Sequence, residues 1–306
     1  VFDDYARLIE LAAFRTHLDP MTTSILVGSA GRRFPFPGAN VTPWQIEGVI
    51  RALRAAGYPK LAYVPAAAHG PLPDTSDYDG YNAILQTYGI PPQGVRQILH
   101  DAGGHIPSYA LRQNLIYLTP LRPSITATAH ALDARWYTRN WTGATLADVL
   151  ARQNAISAGA AVVIDGTTIA HVNRQRSPEI ANMLLASTDL VAADAVVARL
   201  MGLDPLCNVA YLRIAHERGL GIADPSQITI VGDVETLALQ RNAGSISPEQ
   251  WLDAFLKPQR ILAYYRWRGG DRSLFESWLR DTGWGRLFQQ YQQRAYVEGR
   301  RMRDEG

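Results

Sequence analysis

An α/β fold with a mostly parallel sheet is predicted by three observations. Short apolar runs alternate with longer amphipathic ones, as at TTSILVG (22–28), TPWQIEGVIRALRAAGY (42–58) and KLAYVPAA (60–67). The helical run opens on Thr42-Pro43 and stops at Gly57, a cap, a first-turn proline and a terminator in the expected order. A strand, a long connection carrying a helix and a second strand imply parallel pairing.

The elements follow in order. Residues 3–16 read as an amphipathic helix, with Tyr5, Leu8, Ile9, Ala12 and Ala13 on one face. Strand 22–28 leads through the Gly/Pro-rich GSAGRRFPFPGAN to helix 42–58, and 60–67 is the next strand. Pro, Gly and Asp punctuate 70–110, with a short helix near YNAILQTYG. NLIYLTP (114–120) is a buried strand, and TLADVLARQNAISAG (145–159) is a helix stopped by Gly159. AAVVIDGTT (160–168) is a strand that brings Asp165 to its carboxyl edge. PEIANMLLAST passes as a strand into the helix VAADAVVARLMG. NVAYLRIAHERGLG is helical, and SQITIVGD (226–233) reads as a last strand. Residues 247–296 read as helical and are rich in Trp, Tyr and Arg. The expected organisation is an α/β domain over 1–240 with a helical C-terminal extension, 241–306, packed on it.

Composition narrows the function classes. Apolar content of 47% and charged content of 19% describe a soluble globular chain, with no apolar run long enough for a membrane span. A net charge of +2 gives no expectation of a nucleic-acid partner. Cys207 is the single cysteine, so no intrachain disulfide forms and a cysteine-ligated iron–sulfur cluster is not expected. A cytoplasmic location is expected. The chain begins at Val1, however, and a removed leader stays open.

Ligands in open parallel sheets bind beyond the carboxyl ends of the strands. Asp165, Thr167, Ser187, Asp189 and Asp233 fall there, as do Arg33, Arg122 and Arg176 in the connecting loops. Asp189 directly precedes a helix, where an N-cap is the simplest role. Asp194 lies on the apolar face of that helix, with Leu190, Val191, Val197, Ala198 and Met201. A buried acid is costly unless it is paired, so Asp165 and Asp194 are the candidate acid, base or cation ligands. Asp189 is a third, and the arginines are candidate anion clamps. The glycine loop lacks GxGxxG, His216 and Glu217 are helix neighbours that diverge, and no serine sits in a GxSxG turn. No stretch has an established metal spacing.

VVIDGTT, LLASTDLVAADAVVARLMGLDP and YLRIAHERGLGIADPSQITIVGD together resemble the domain of unknown function 362 family. FPFPGANVTPWQIEGVIRALRAAGY and WLRDTGWGRLFQQY are similar to one branch of it. The resemblance implies an α/β domain with a mostly parallel sheet and says little about activity. Asp165, Asp189 and Asp194 match the pattern. Some members carry a ferredoxin-like cluster segment, which a chain with one cysteine lacks. The branch's Lys-x-His element is replaced here by Arg122 and Ser124, and a later lysine is missing. The loop after DGT has lost its glycines and keeps Arg176. Two functions therefore stand. One is a small-molecule-binding or enzymatic protein with an anionic or metal-bridged ligand at the sheet edge. The other is a non-catalytic interaction protein in which the family's chemistry is lost.

Overall fold

A computed structural model describes residues 1–30, 38, 40–67, 79–90, 98–101, 104–107, 111–121, 143–169, 178–200, 202–233 and 269–304. Its elements run α1 (Phe2–Leu11), α2 (Phe14–His17), β1 (Ser24–Ala30), α3 (Pro43–Ala55), β2 (Leu61–Ala67), α4 (Asp79–Thr87), β3 (Ile98–Asp101), β4 (Gly104–Pro107), β5 (Asn114–Pro120), α5 (Gly143–Ile156), β6 (Gly159–Ile169), β7 (Glu179–Ser187), α6 (Leu190–Leu200), α7 (Pro205–Asn208), α8 (Ala210–Glu217), α9 (Gly269–Asp281) and α10 (Gly283–Asp304). The main sheet has the order β2-β1-β5-β6-β7. Its first four strands are parallel, and β7 pairs antiparallel with β6. This is the predicted α/β architecture. No helix among the described residues is long and apolar enough to cross a membrane.

Strand alternation divides the core into two layers. Val162 and Ile164 of β6 face a layer holding Leu146 and Leu150 of α5, Val191 and Val197 of α6, and Leu212 of α8. Ala161 and Val163 face the other layer, with Tyr5 of α1, Trp44 and Ile50 of α3, and Tyr81 and Leu85 of α4. Each strand residue points opposite to its neighbour, so this one strand sorts the helices to its two sides. The C-terminal helices join the second layer: Phe275, Trp278, Phe288 and Tyr291 are buried in the same cluster as α1, α3 and α4. Glu47 of α3 draws them in. Its carboxylate accepts from the Tyr291 hydroxyl at 2.6 Å and from the Tyr88 hydroxyl at 2.9 Å. Burial, followed by that hydrogen bond, raises the Tyr291 phenol far above its ordinary range.

Several sequence expectations are corrected. The first helix breaks at Ala13, which adopts φ 51 and separates α1 from α2. The predicted strand 226–233 is absent. Asp224 instead caps a 3-10 turn, Pro225–Gln227, by accepting from the Ser226 amide. Ile230 and Val231 beyond it are 41% and 56% exposed, because the run meets no sheet edge and strand propensity acts only on a pleated, paired surface. Asp233 holds Arg7 of α1 through two bonds of 3.0 and 3.1 Å. Strand β6 does not end at its acid: it runs on to Ile169, so Asp165 lies mid-strand. Gly159 opens β6 rather than closing α5. The small β3–β4 ladder was not anticipated. The part of the predicted helical stretch from 247 to 268 lies outside the described residues.

Helix α1 packs on α3 through a slot at Gly48, where an added Cβ would lie 2.3 Å from the Tyr5 ring. Gly48→Ala should therefore destabilise the protein by about 1–3 kcal/mol through overpacking. In a Tyr5→Ala background the same change should become neutral or stabilising by up to about 1 kcal/mol, since alanine favours helix over glycine. Urea unfolding of the double-mutant cycle measures both. An equal cost in the two backgrounds would remove the slot as the cause.

Candidate functional site

Asp165 is the centre of the polar cluster at the carboxyl side of the sheet. It pairs in register with Pro120, the last residue of β5, so it is level with the point where that neighbouring strand ends. Its side chain, 1% exposed, turns to the layer of α1 and α3. Thr42, the N-cap of α3, accepts from the Gln45 amide at 3.2 Å. A hydroxyl that accepts still has its own proton to give, and Thr42 donates it to Asp165 Oδ2 at 2.5 Å. The Thr167 amide donates to Oδ1 at 2.8 Å, and the Tyr5 hydroxyl approaches Oδ2 at 3.4 Å. Gln45, fully buried in the first turn of α3, donates to the carbonyls of Val163 at 2.9 Å and Thr119 at 3.3 Å.

Burial pushes the pKa of the Asp165 carboxyl above its ordinary value. The donors from Thr42 and Thr167, with the Trp44 indole beside them, pull it part of the way back. Desolvation disfavours the charged form and hydrogen bonds to it favour it; here desolvation wins. The same charge acts on Tyr5: burial first, then Asp165, raises its phenol well above the usual value. Trp44 is covered in turn by Trp284 of α10, the ring centroids being 5.1 Å apart, and the Trp284 indole donates to Asn182 Oδ1 at 2.8 Å. The C-terminal helices thus roof the amino end of α3.

The other predicted acids lie elsewhere. Asp189 caps α6: its Oδ1 accepts from the Val191 and Ala192 amides, both at 2.9 Å. Its Oδ2 accepts from the Ile222 amide at 2.8 Å, tying the loop after α8 to the same corner. Ser187 accepts from the Asp189 amide at 3.0 Å, inside this cap. Asp194 is completely buried on α6 and has an interaction partner there. Helix α6 packs in the layer of Val162 and Ile164, so Asp165 and Asp194 stand on opposite faces of the sheet. Asp165 and Thr167 are brought together; Asp189 and Asp194 do not join them. Arg33, Arg122 and Arg176 lie outside the described residues. His216 accepts from the Ala223 amide at 3.3 Å, and Glu217 pairs with Arg213 one turn earlier.

Tyr5, Thr42, Trp44 and Gln45 were not singled out as partners of Asp165. A signal for Thr42 existed, because an N-cap threonine is a hydrogen-bond donor in waiting. For Tyr5 there was none, since only packing brings residue 5 to residue 165. Among the described residues no group of three or more His, Cys, Asp or Glu side chains is placed to hold a metal ion.

The raised pKa of Asp165 sets a pH dependence. A folded value above the unfolded one makes Asp165 contribute most below the ordinary aspartate value of 3.8, and the contribution is lost as pH rises through the raised folded value. The stability margin of the wild type over Asp165→Asn should therefore shrink from acid to neutral pH in urea titrations. A margin that grows with pH would show that the donors, not burial, dominate. Separately, Asp189→Ala should cost about 1–2 kcal/mol in the same assay through loss of the α6 cap.

No family model, no curated protein and no solved structure matches the chain.

Proposed function

We propose that the protein binds a small molecule at the carboxyl side of its sheet, with Asp165 as the polar anchor, and that it is a divergent member of the domain of unknown function 362 family. The observation that carries this reading is the convergence on one buried carboxylate of hydroxyl and amide donors from α1, α3 and β6. A buried acid is expensive to maintain. The position, level with the end of β5, is where open α/β sheets take ligands. Arg33, Arg122 and Arg176 belong to the chain segments that follow β1, β5 and β6, so they are the residues for an anionic part of the ligand. Asp189 serves the α6 cap in this reading, and Asp194 belongs to the opposite layer.

The interaction-protein alternative would use the aromatic, Arg-rich stretch from Trp251 to Tyr296. Among the described residues of that stretch, Phe275, Trp278, Phe288 and Tyr291 are core residues and give no support to an interface.

The test is thermal unfolding of the purified protein with nucleotides, flavins and phosphorylated metabolites. A ligand present at about a hundred times its dissociation constant stabilises by roughly 2.7 kcal/mol, a shift of a few degrees for a chain of this size. The expected shift is lost in Asp165→Asn and kept in Asp204→Asn, which alters only an exposed cap. Equal shifts in both variants would place the ligand elsewhere.

A further inference from the structure

The loop that follows α8 is pinned by side chains from two places. The Ile222 amide donates to Asp189 Oδ2 at 2.8 Å, and the Ala223 amide donates to His216 Nδ1 at 3.3 Å. Gly221 lies so close to the same corner that an added Cβ would be 2.4 Å from Asp189 Oδ1. The pins seat one residue. Ala223 is 0% exposed and belongs to the layer of Leu212 and Ala215, whereas Ile222 beside it is 38% exposed.

The two pins differ in chemistry. A backbone amide can only donate, so the ring nitrogen that meets it must carry a lone pair. His216 is therefore in its neutral form here, with the proton on Nε2. A proton on Nδ1 and the Ala223 amide compete for one electron pair, so an imidazolium cannot make this contact. Two N–H groups would face each other, and either the ring turns away or the loop moves. Both leave the amide of a buried residue unpaired. Asp189 is a carboxyl group, which keeps acceptor lone pairs in either charge state. Only the His216 pin opens on protonation.

We infer that His216 is a pH-operated latch: its neutral ring holds Ala223 and the 219–224 loop in the core layer, and protonation releases them. An imidazole changes charge between about pH 5 and pH 8. Asp224, next to Ala223, supplies the charge that favours the protonated ring. Hydrogen bonds from Ser226 hold the Asp224 carboxyl below its usual pKa, and the charge of His216 adds to that lowering. The other charged groups near α8 are engaged elsewhere: Glu217 pairs with Arg213, and Arg218 pairs with Asp148 of α5. The helices packed on α8 also carry Arg152 on α5, Asp194 and Arg199 on α6, and Asp204, the N-cap of α7. Asp204 is occupied by the Leu206 and Cys207 amides, and Asp194 is completely buried. The loop shares Asp189 with the first turn of α6, so its release reaches the start of that helix. The latch is independent of the Asp165 reading, because α8 packs on the opposite face of the sheet.

Amide hydrogen exchange of the full chain, followed by NMR at about pH 7.5 and about pH 5.5, tests the latch across the imidazole range. Each rate is referred to the intrinsic rate at its own pH, so that only protection is compared. Protection of the Ala223 amide should fall about tenfold at the lower pH, the effect of unpairing one buried amide. Protection of Leu150 in α5 should stay constant. In His216→Asn the side-chain oxygen takes the place of Nδ1 and accepts at every pH, so Ala223 should be equally protected at both. Equal protection of Ala223 in the wild type at the two pH values overturns the latch. So does the same fall in His216→Asn, which would assign the effect to another group. Ring 15N shifts of the wild type give a check without a variant: at the upper pH Nε2 must carry the proton, and a predominant Nδ1–H tautomer also overturns the latch.

Discussion

The hydrogen bond from Thr42 to Asp165 is the constraint on which the polar architecture depends. It joins residues far apart in sequence and fastens the first turn of α3 to the middle of β6. Thr42 acts in two directions: it accepts from its own helix and donates to the sheet. The helix start and the strand acid therefore form one unit. Neither can move without leaving a buried donor or acceptor unpaired, which costs about 1–3 kcal/mol for each group. Gln45 repeats the device one turn in, laying its amide across the carbonyls of β5 and β6.

Around this clamp the second layer is assembled from distant parts of the chain. Gly48 admits the Tyr5 ring, and the Tyr5 hydroxyl then reaches the clamp. Glu47, next to Gly48 in sequence, faces the other way along α3 and binds Tyr88 and Tyr291. Trp44 lies between Asp165 and Trp284. One helix of 13 residues thus contacts the sheet, the N-terminal helix and the C-terminal helix α10. Its sequence, PWQIEGVIRALRA, carries polar residues in its first turn and a half because those residues make the connections. Desolvation of Asp165 is the cost of this arrangement, visible in its weakened acidity.

Much of the scaffold was legible in the sequence because its causes are local. Thr42, Pro43 and Gly57 bound α3 by capping, fixed φ and a left-handed terminus at φ 89, all properties of a few adjacent residues. Asp189 before an apolar helix reads as a cap and is one. The burial of β5 follows from NLIYLTP alone. The run at 226–233 misled for the opposite reason. Its apolar residues suit a strand, but a strand exists only where a neighbour offers hydrogen bonds, and Asp224 diverts the chain into a turn first.

The acids show where sequence stops and tertiary structure begins. That Asp194 is buried followed from the apolar helix face that contains it. Which face of the sheet Asp165 and Asp194 each take did not. The parity of β6 sends Asp165 to α1 and α3, while the antiparallel addition of β7 at the edge returns the chain so that α6 packs on the other side. Sequence by itself determined most of the element types, the caps of α3 and α6 and the burial of Asp194, because periodicity and short-range hydrogen bonding act within a few residues. Only the tertiary structure decided that residues 5, 42 and 165 meet and that 165 and 194 do not. Strand order, strand direction and the Gly48 slot are set by contacts across the whole chain.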